Sequence, residues 1–333
     1  MRAIQWCRKR RVDRQGICRP VERSVRTGEH LPHIVSASRR TDIPHYYGDW
    51  FAARRKVGYC ESRNVFGGTY RISLKPDDVT GYLFWSKNTA PFEERLDSIL
   101  TEGTSVAIQF TITGYGPTIE RNIPGIEVTI PAFLRAAAKL PSPSAIQWRY
   151  DPVLITDTFT IDWHRANFSR IASHLGSATR VCNTSFIEPY IKVVRRMGEG
   201  VTYRSVDTER HKKVVRKHPG LRQTGEMEAR LIEDLSKIAR EHGIELRSCS
   251  NPESKLPAAI CCGIELFDCY GIGEKLLALG SGPSRAGCQC LKTLDIGMDN
   301  TCPGGCVYCY VTNALGTVAK NVQSHSPASV RMR

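Results

Sequence analysis

No stretch of this chain approaches the roughly 18 consecutive apolar residues of a membrane-spanning helix, so no transmembrane segment is expected. A secretory leader is not expected either, because Arg8-Lys9-Arg10-Arg11 runs into polar residues instead of an apolar core. Both absences imply a cytoplasmic protein, and that compartment keeps thiols reduced. The 13 cysteines are therefore read as metal ligands or buried thiols, not as a disulfide framework. Acidic residues run short: 33 Asp and Glu stand against 47 Lys and Arg, a net charge of +14. Residues 1–30 carry nine Lys/Arg against three Asp/Glu, and a second basic run spans Arg210-His211-Lys212-Lys213 to Arg216-Lys217-His218. Such a surplus favours polyanions, nucleic acid among them, although most charge runs are solvated faces or tails. No internal repeat of fixed period is present.

At 333 residues and 41% hydrophobic, the chain has enough apolar surface for a large core. From His33 onward, short β-branched runs alternate with longer amphipathic stretches, the pattern of repeated βα units. Strands are expected at His33–Ala37, Gly81–Ser86, Ser105–Thr113, Ala145–Tyr150, Arg180–Phe186, Ile244–Ser248 and Lys292–Gly297. Helices are expected at Tyr46–Arg55, Pro91–Leu100, Pro131–Leu140, Ile161–Leu175, Ile187–Met197 and Gly225–His242, the last closed by Gly243. This alternation implies an α/β fold with a parallel sheet, either a full or partial (β/α) barrel or a doubly wound sheet. The expected divisions are a basic, disordered extension over 1–31, βα units over 32–248, a Cys-rich metal segment over 249–291, a last strand, loop and helix over 292–320, and a disordered tail over 321–333. Residues 198–222 and 251–287 read as loops.

Polar residues follow several strands and would meet at one mouth of the sheet, where such folds place their sites. They are Ser38-Arg39-Arg40-Thr41-Asp42, Ser86-Lys87-Asn88, Thr111, Thr113 and Tyr115, Arg149-Tyr150-Asp151, Asn183-Thr184-Ser185, and Asp295 with Asp299-Asn300. Arg39, Arg40, Lys87 and Arg149 are candidates to hold an anionic group, since guanidinium pairs with carboxylate or phosphate; internal salt bridges are the equal alternative. Tyr150 and Asp151 complete the catalytic candidates. The most specific feature is Cys302-Pro-Gly-Gly-Cys306-Val-Tyr-Cys309-Tyr310. Three thiols at C-x3-C-x2-C can hold three irons of a [4Fe–4S] cluster, which usually takes four Cys, so one iron would stay open. Upstream, Cys249, Cys262, Cys288 and Cys290 are the expected ligands of an auxiliary [4Fe–4S] cluster or a Zn ion, with Cys261 and Cys269 next in line. Cys7, Cys18, Cys60 and Cys182 lack partners at ligand spacing.

The three-Cys loop, with Tyr308 just before its third thiol, resembles the signature of the radical S-adenosylmethionine superfamily. From about His33 to Ala314 the chain also resembles the domain of unknown function family 1848, through SASRRTDIP (36–44), FWSKN (84–88), QFTITGYG (109–116), QWRYDP (147–152) and DIGMDNTCPGGCVYCY (295–310). A more distant likeness is to spore photoproduct lyase and its relatives, in TDIP (41–44), SKN with Arg95 (86–95), and TIT with ERNIP (111–124). In those proteins the Cys loop comes early; here it comes last. A circular permutation accounts for this, with Lys292–Gly297 as the first strand of the barrel and Val311–Lys320 as its first helix.

The likeness implies that S-adenosylmethionine occupies the open iron, that Thr41 and Asp42 border its methionine part, and that Tyr308 packs near adenine. It further implies a flavodoxin- or ferredoxin-like electron donor and cleavage of the cofactor to a 5′-deoxyadenosyl radical. The radical would act on an unidentified substrate, with nucleic acid or a nucleotide suggested by charge and by the lyase likeness. Two other readings stand beside it: a zinc- or Fe–S-stabilised nucleic-acid-binding module, and a radical enzyme that modifies a peptide.

Overall fold

The computed structural model describes residues 10–12, 18–20, 32–63, 67–205, 208–251, 253–282 and 287–333. Two units are present, residues 1–31 and 32–333. In the first, Arg10–Val12 pairs antiparallel with Cys18–Pro20; the disorder expected over 1–31 otherwise falls outside the described residues. Among the described residues no helix is long and apolar enough to cross a membrane.

The second unit is built on seven parallel strands: β1 (His33–Ala37), β2 (Val79–Ser86), β3 (Val106–Thr111), β4 (Ile146–Val153), β5 (Val181–Phe186), β6 (Glu245–Ser248) and β7 (Thr293–Asp295). Their order across the sheet is β6-β5-β4-β3-β2-β1-β7. Six strands thus follow chain order without reversal, and the last strand takes the edge beside the first. Among the described residues β6 and β7 each pair on one side only, so the barrel is not closed.

Strand residues alternate between two faces, and both faces are covered, which is why the strands read as nearly continuous apolar runs. Val35, Ala37, Tyr82, Phe84, Ile108, Phe110, Trp148 and Tyr150 belong to one core with the flanking helices. Helix Ile161–Leu175 contributes Phe168, Ile171 and Leu175, and helix Glu226–Glu241 contributes Leu231, Leu235 and Ala239. Ile34, Leu83 and Ala107 point the other way, into a smaller core with Leu266, Phe267 and Leu276 of the Cys-rich segment. Toward the strand ends this second face turns polar: Gln109 donates to Gln147 (2.7 Å), Asn183 to Gln147 (2.8 Å), and Trp85 to Ser36 (3.1 Å).

Several expected boundaries move. The helix placed at Pro131 starts at Ile126, with Pro131 in its interior. The segment 198–222 holds strand Val201–Tyr203 and helix Glu209–Lys217. An antiparallel pair, Tyr59–Arg63 with Thr69–Ser73, lies where no strand was expected. The tail expected over 321–333 is packed: Trp50 Nε1 donates to Ser329 O (2.8 Å), Glu61 N donates to Val330 O (2.9 Å), and Met332 is fully buried. A buried methionine and two hydrogen bonds to its backbone carbonyls offset the entropy of ordering that segment.

Candidate metal and cofactor site

β7 ends at Asp295, whose carboxylate ties the chain to the turn after β1. It accepts from Ser38 Oγ (2.7 Å), Arg39 N (3.0 Å), Gly297 N (2.9 Å) and Arg40 Nε (3.3 Å). A Cβ on Gly297 would lie 1.9 Å from Ser38 Oγ, so this close crossing needs glycine. Thr41 Oγ1 then donates to Met298 O (3.0 Å) and shares a 2.5 Å hydrogen bond with the Thr301 hydroxyl. Tyr47 OH donates to Thr301 O (2.5 Å). The route into Cys302 is thereby fixed by residues 38–47.

The three-Cys loop is held from two further sides. Asn122 donates through N to Gly304 O (3.1 Å) and through Nδ2 to Pro303 O (2.7 Å), while Val307 N donates to Ile119 O (2.9 Å). Arg196 donates to Val307 O (2.9 Å), Thr312 O (2.7 Å) and Cys309 O. Gly305 turns the chain with φ +67°, a left-handed conformation that favours glycine.

Cys302, Cys306 and Cys309 are half-buried and in no disulfide. A Cβ on Gly304 would stand 3.5 Å from the Cys302 sulfur and 3.8 Å from that of Cys306, so both thiols flank the bare backbone there. Desolvation pushes the Cys302 thiol up to about 12; Asp42 and Cys309 nearby add to this, while the N–H groups of Asp42 and Gly304 aim at its sulfur and oppose it. Desolvation also raises Cys306 well above its ordinary value, with Lys87 opposing and Glu120, Cys309 and Cys302 adding to the rise.

Glu120, which pairs with Cys306 in an isolated antiparallel bridge, is the polar hub beside the loop. Its Oε1 accepts from Lys87 Nζ (2.8 Å), Thr113 Oγ1 (2.7 Å) and Tyr308 OH. Lys87 Nζ also stands 5.7 Å above the Tyr308 ring. Asp42 accepts from Ser86 Oγ (2.7 Å), Lys87 N (2.8 Å) and His45 N (3.0 Å); burial raises its pKa despite these donors. A cavity of about 460 Å³ borders the hub, lined by Thr111, Thr113, Gly114, Glu120, Glu127 and Arg170 among others.

Three thiols lie on one loop at a spacing that an iron–sulfur cluster can use, with the carboxylates of Asp42 and Glu120 close to Cys302 and Cys306. Among the described residues no three His, Cys, Asp or Glu side chains are grouped so as to hold a metal ion.

The second Cys group lies on the inner face of the sheet. Cys249, Cys261, Cys262 and Cys290 are buried in the smaller core, with Cys288 packed against it. The expected ligand Cys262 and its neighbour Cys261 lie in the same core, and the Cys261 sulfur accepts from Arg149 Nη1 at 3.0 Å. Cys262 joins through its carbonyl, which accepts from Leu291 N (2.8 Å). Cys269 is exposed on the turn Ile264–Tyr270, apart from this group.

The anion-holding candidates already have partners. Arg40 reaches Asp295, Ser62 Oγ (2.9 Å) and Arg63 O (2.9 Å). Lys87 is paired with Glu120, and Arg149 donates to Asp151 and to Cys261 Sγ (3.0 Å). Arg39 stands over Trp85 at 5.8 Å. Tyr150 is a correction: it sits on the opposite face, fully buried, with its hydroxyl at His164 Nδ1 (2.8 Å) and accepting from Asn167 Nδ2 (3.1 Å). Strand alternation sends residue 150 away from the face that carries 149. Arg95 is paired with Asp49, outside the site. Tyr47, Asn122 and Arg196 anchor the loop through contacts between segments far apart in sequence, which no local pattern reports, and Tyr46 OH in turn donates to Asn122 O (2.7 Å).

A parallel α/β protein with a three-thiol loop at the C-terminal ends of its strands is the class these features define. The domain of unknown function DUF1848 matches residues 34–311, and the chain belongs to that family. No curated protein matches it. One solved structure, described as inhibition of the pneumococcal virulence factor StrH with insights into N-glycan recognition and hydrolysis, is 11% identical. The match covers 66% of this chain and 54% of that one at a TM-score of 0.24, too low to indicate a shared fold.

Proposed function

We propose that this protein is a radical S-adenosylmethionine enzyme in which Cys302, Cys306 and Cys309 hold a [4Fe–4S] cluster whose fourth iron takes the cofactor. The observation that carries this reading is the placement of the C-x3-C-x2-C loop against Thr41, Asp42 and Glu120, all at the C-terminal ends of the strands. When bound, such a cluster would supply one electron, taken from a flavodoxin- or ferredoxin-like donor, for reductive cleavage of S-adenosylmethionine. The strand order supports a permuted, partial (β/α) barrel: β7, which feeds the Cys loop, lies beside β1, where a first strand would stand if the chain began there.

The chain's own residues prepare the site. Asp295, Thr41 and Tyr47 fix the entry of the loop, and Arg196 and Asn122 fix its exit and tip. Lys87 neutralises Glu120 next to the thiols, which lowers the cost of charge in a desolvated place. Tyr308 presents its ring between Tyr115 and Lys87. The cavity beside Glu120 is the space for cofactor or substrate. Nucleic acid or a nucleotide is the substrate class we favour, because Arg210 stands 5.2 Å over Tyr190, which stacks at 5.4 Å on the exposed Tyr310 next to Cys309. Aromatic faces with basic neighbours suit unpaired bases.

Anaerobic reconstitution with iron and sulfide tests the reading. The reduced protein should show a cubane EPR signal altered by S-adenosylmethionine, and should release 5′-deoxyadenosine and methionine. A spectrum unchanged by Cys302→Ala, Cys306→Ala and Cys309→Ala, or the absence of both products, rejects it.

A further inference from the structure

We propose that helix Glu209–Lys217, with the pocket beside it, binds the backbone of single-stranded nucleic acid and leads the strand to Tyr310 at the Cys loop. For its chemistry this rests on the radical enzyme proposed above; the binding itself does not. Charge on the helix is one-sided, five Lys/Arg against one Glu in nine residues. His211 and Val214 are its buried residues, and Val214 packs in a core that also holds Tyr190, Val193, Val194 and Tyr308. Helical spacing puts Arg210, Lys213 and Lys217 on one stripe and Lys212 with Arg216 on a second. Glu209 stands 3.6 Å from both Lys212 Nζ and Arg216 Nη2, and one exposed carboxylate does not cancel that surplus.

Lys212 and Arg216 border a pocket of about 500 Å³. Ser205 and Gln223 add hydrogen-bonding groups there, and Glu253 is the only carboxylate among the described lining residues. His211 lies in the pocket wall, 6% exposed, with Thr208 Oγ1 at its Nδ1 (2.7 Å). Its Nε2 has no hydrogen-bond partner, Glu188 standing 3.7 Å away. A buried ring nitrogen left unmet is the kind of group that a ligand or its water satisfies.

The pocket runs on toward the thiols. Pro189 also lines it, and the next residue, Tyr190, meets the His211 ring edge-on at 5.5 Å. Tyr190 lies under Arg210 and stacks on Tyr310, which is 46% exposed and adjoins Cys309. Helix Ile191–Met197 fastens this wall to the loop: Lys192 Nζ donates to Asn313 Oδ1 (2.7 Å), and Arg196 donates to Cys309 O. Cations beside a pocket, followed by stacked aromatics, suit a chain of phosphates carrying unpaired bases. A lipid surface suits the helix less, because neither valine projects for insertion: Val214 is buried and Val215 lines the pocket.

Fluorescence anisotropy of full-length, anaerobically reconstituted protein with labelled single-stranded DNA and RNA of about 12 nucleotides tests this. Binding should weaken as salt rises. Lys212→Gln with Arg216→Gln should weaken it several-fold and reduce the slope of log affinity against log salt by about 1.4, at about 0.7 for each lost phosphate contact. Tyr310→Ala should cost about tenfold in affinity and leave the slope unchanged. Lys237→Gln with Arg240→Gln, which removes equal charge near the end of helix Glu226–Glu241, should change neither. Equal effects of the two charge pairs, equal affinity for a duplex, or a preference for phosphatidylglycerol vesicles overturns the proposal. Binding without release of 5′-deoxyadenosine would reject the radical enzyme and leave the strand-binding surface standing; release without binding would do the reverse.

Discussion

Lys87 and Glu120 form a 2.8 Å ion pair beside Cys306, with only 14% and 5% of their side chains exposed. Burial by itself would lower the Lys87 pKa, but Glu120, then Cys306, outweigh it, and the value rises. Replacing Lys87 with Met strands the carboxylate, and losing one member of a buried pair costs about 3–5 kcal/mol. Urea denaturation should therefore show Lys87→Met destabilised by about 3 kcal/mol, with the double variant Lys87→Met, Glu120→Gln recovering part of the loss. An unchanged midpoint in the single variant would mean the pair contributes nothing.

This pair also shows how far the sequence could be read. The thiol spacing, the strands and the polar strand ends are local patterns, and β1 to β7 appear close to where alternation puts them. Glu120 stands out only once Thr113, Tyr308 and Lys87 are brought to one oxygen from three segments. Arg196 is equally silent, because its partners are backbone carbonyls more than a hundred residues away. Tyr150 has a simpler explanation: it adjoins Arg149 in sequence, and neighbours in a strand face opposite ways. Whether the sheet closes depends on the pairing of β6 with β7, which no local pattern reports.

His164 gives a pH test of stability. It is fully buried, with Nε2 at Leu154 O (2.8 Å) and Nδ1 at Tyr150 OH (2.8 Å), partners that satisfy both nitrogens of the neutral ring. Desolvation lowers its pKa to about 4 from an ordinary 6.5, the bond to Leu154 only partly opposing. The unfolded chain takes up the proton first as pH falls. The contribution is therefore intact above pH 6.5 and is lost between 6.5 and about 4, by about 3 kcal/mol in all. Urea midpoints from pH 7 to 4.5 should fall, and His164→Asn should flatten that slope while lowering stability at pH 7. An equal slope in both proteins would assign acid sensitivity elsewhere.

Gly305 separates loop geometry from ligand chemistry. Its φ of +67° is costly for any side chain, and a Cβ would meet Arg121 Cβ at 3.1 Å. Gly305→Ala should cost roughly 1 kcal/mol and reduce iron retained after reconstitution, with all three thiols present. Gly304 has no such backbone constraint, and Gly304→Ala should fold with the tip of Ile123, 3.2 Å from the new methyl, shifting aside, while that methyl stands against both sulfurs. Calorimetry with iron analysis on the two variants distinguishes strain from crowding; equal iron in both and in the parent would show that the loop tolerates either.

Arg196 tests whether loop rigidity protects the site. Its guanidinium spans the carbonyls of Val307, Cys309 and Thr312, three acceptors that a fork of donors can meet at once. Lysine keeps the charge but offers a compact ammonium, not a planar fork, so at most part of that set is restored. Each acceptor left buried without a donor costs about 1–3 kcal/mol, and the penalty falls on the segment around the third thiol. Arg196→Lys should therefore fold, shown by an unchanged circular dichroism spectrum, yet lose reconstituted iron to a chelator several-fold faster than the parent. Arg196→Ala should lose it faster still. If lysine matched arginine in that assay, charge near Cys309 would be the operative feature and the fork geometry would be incidental.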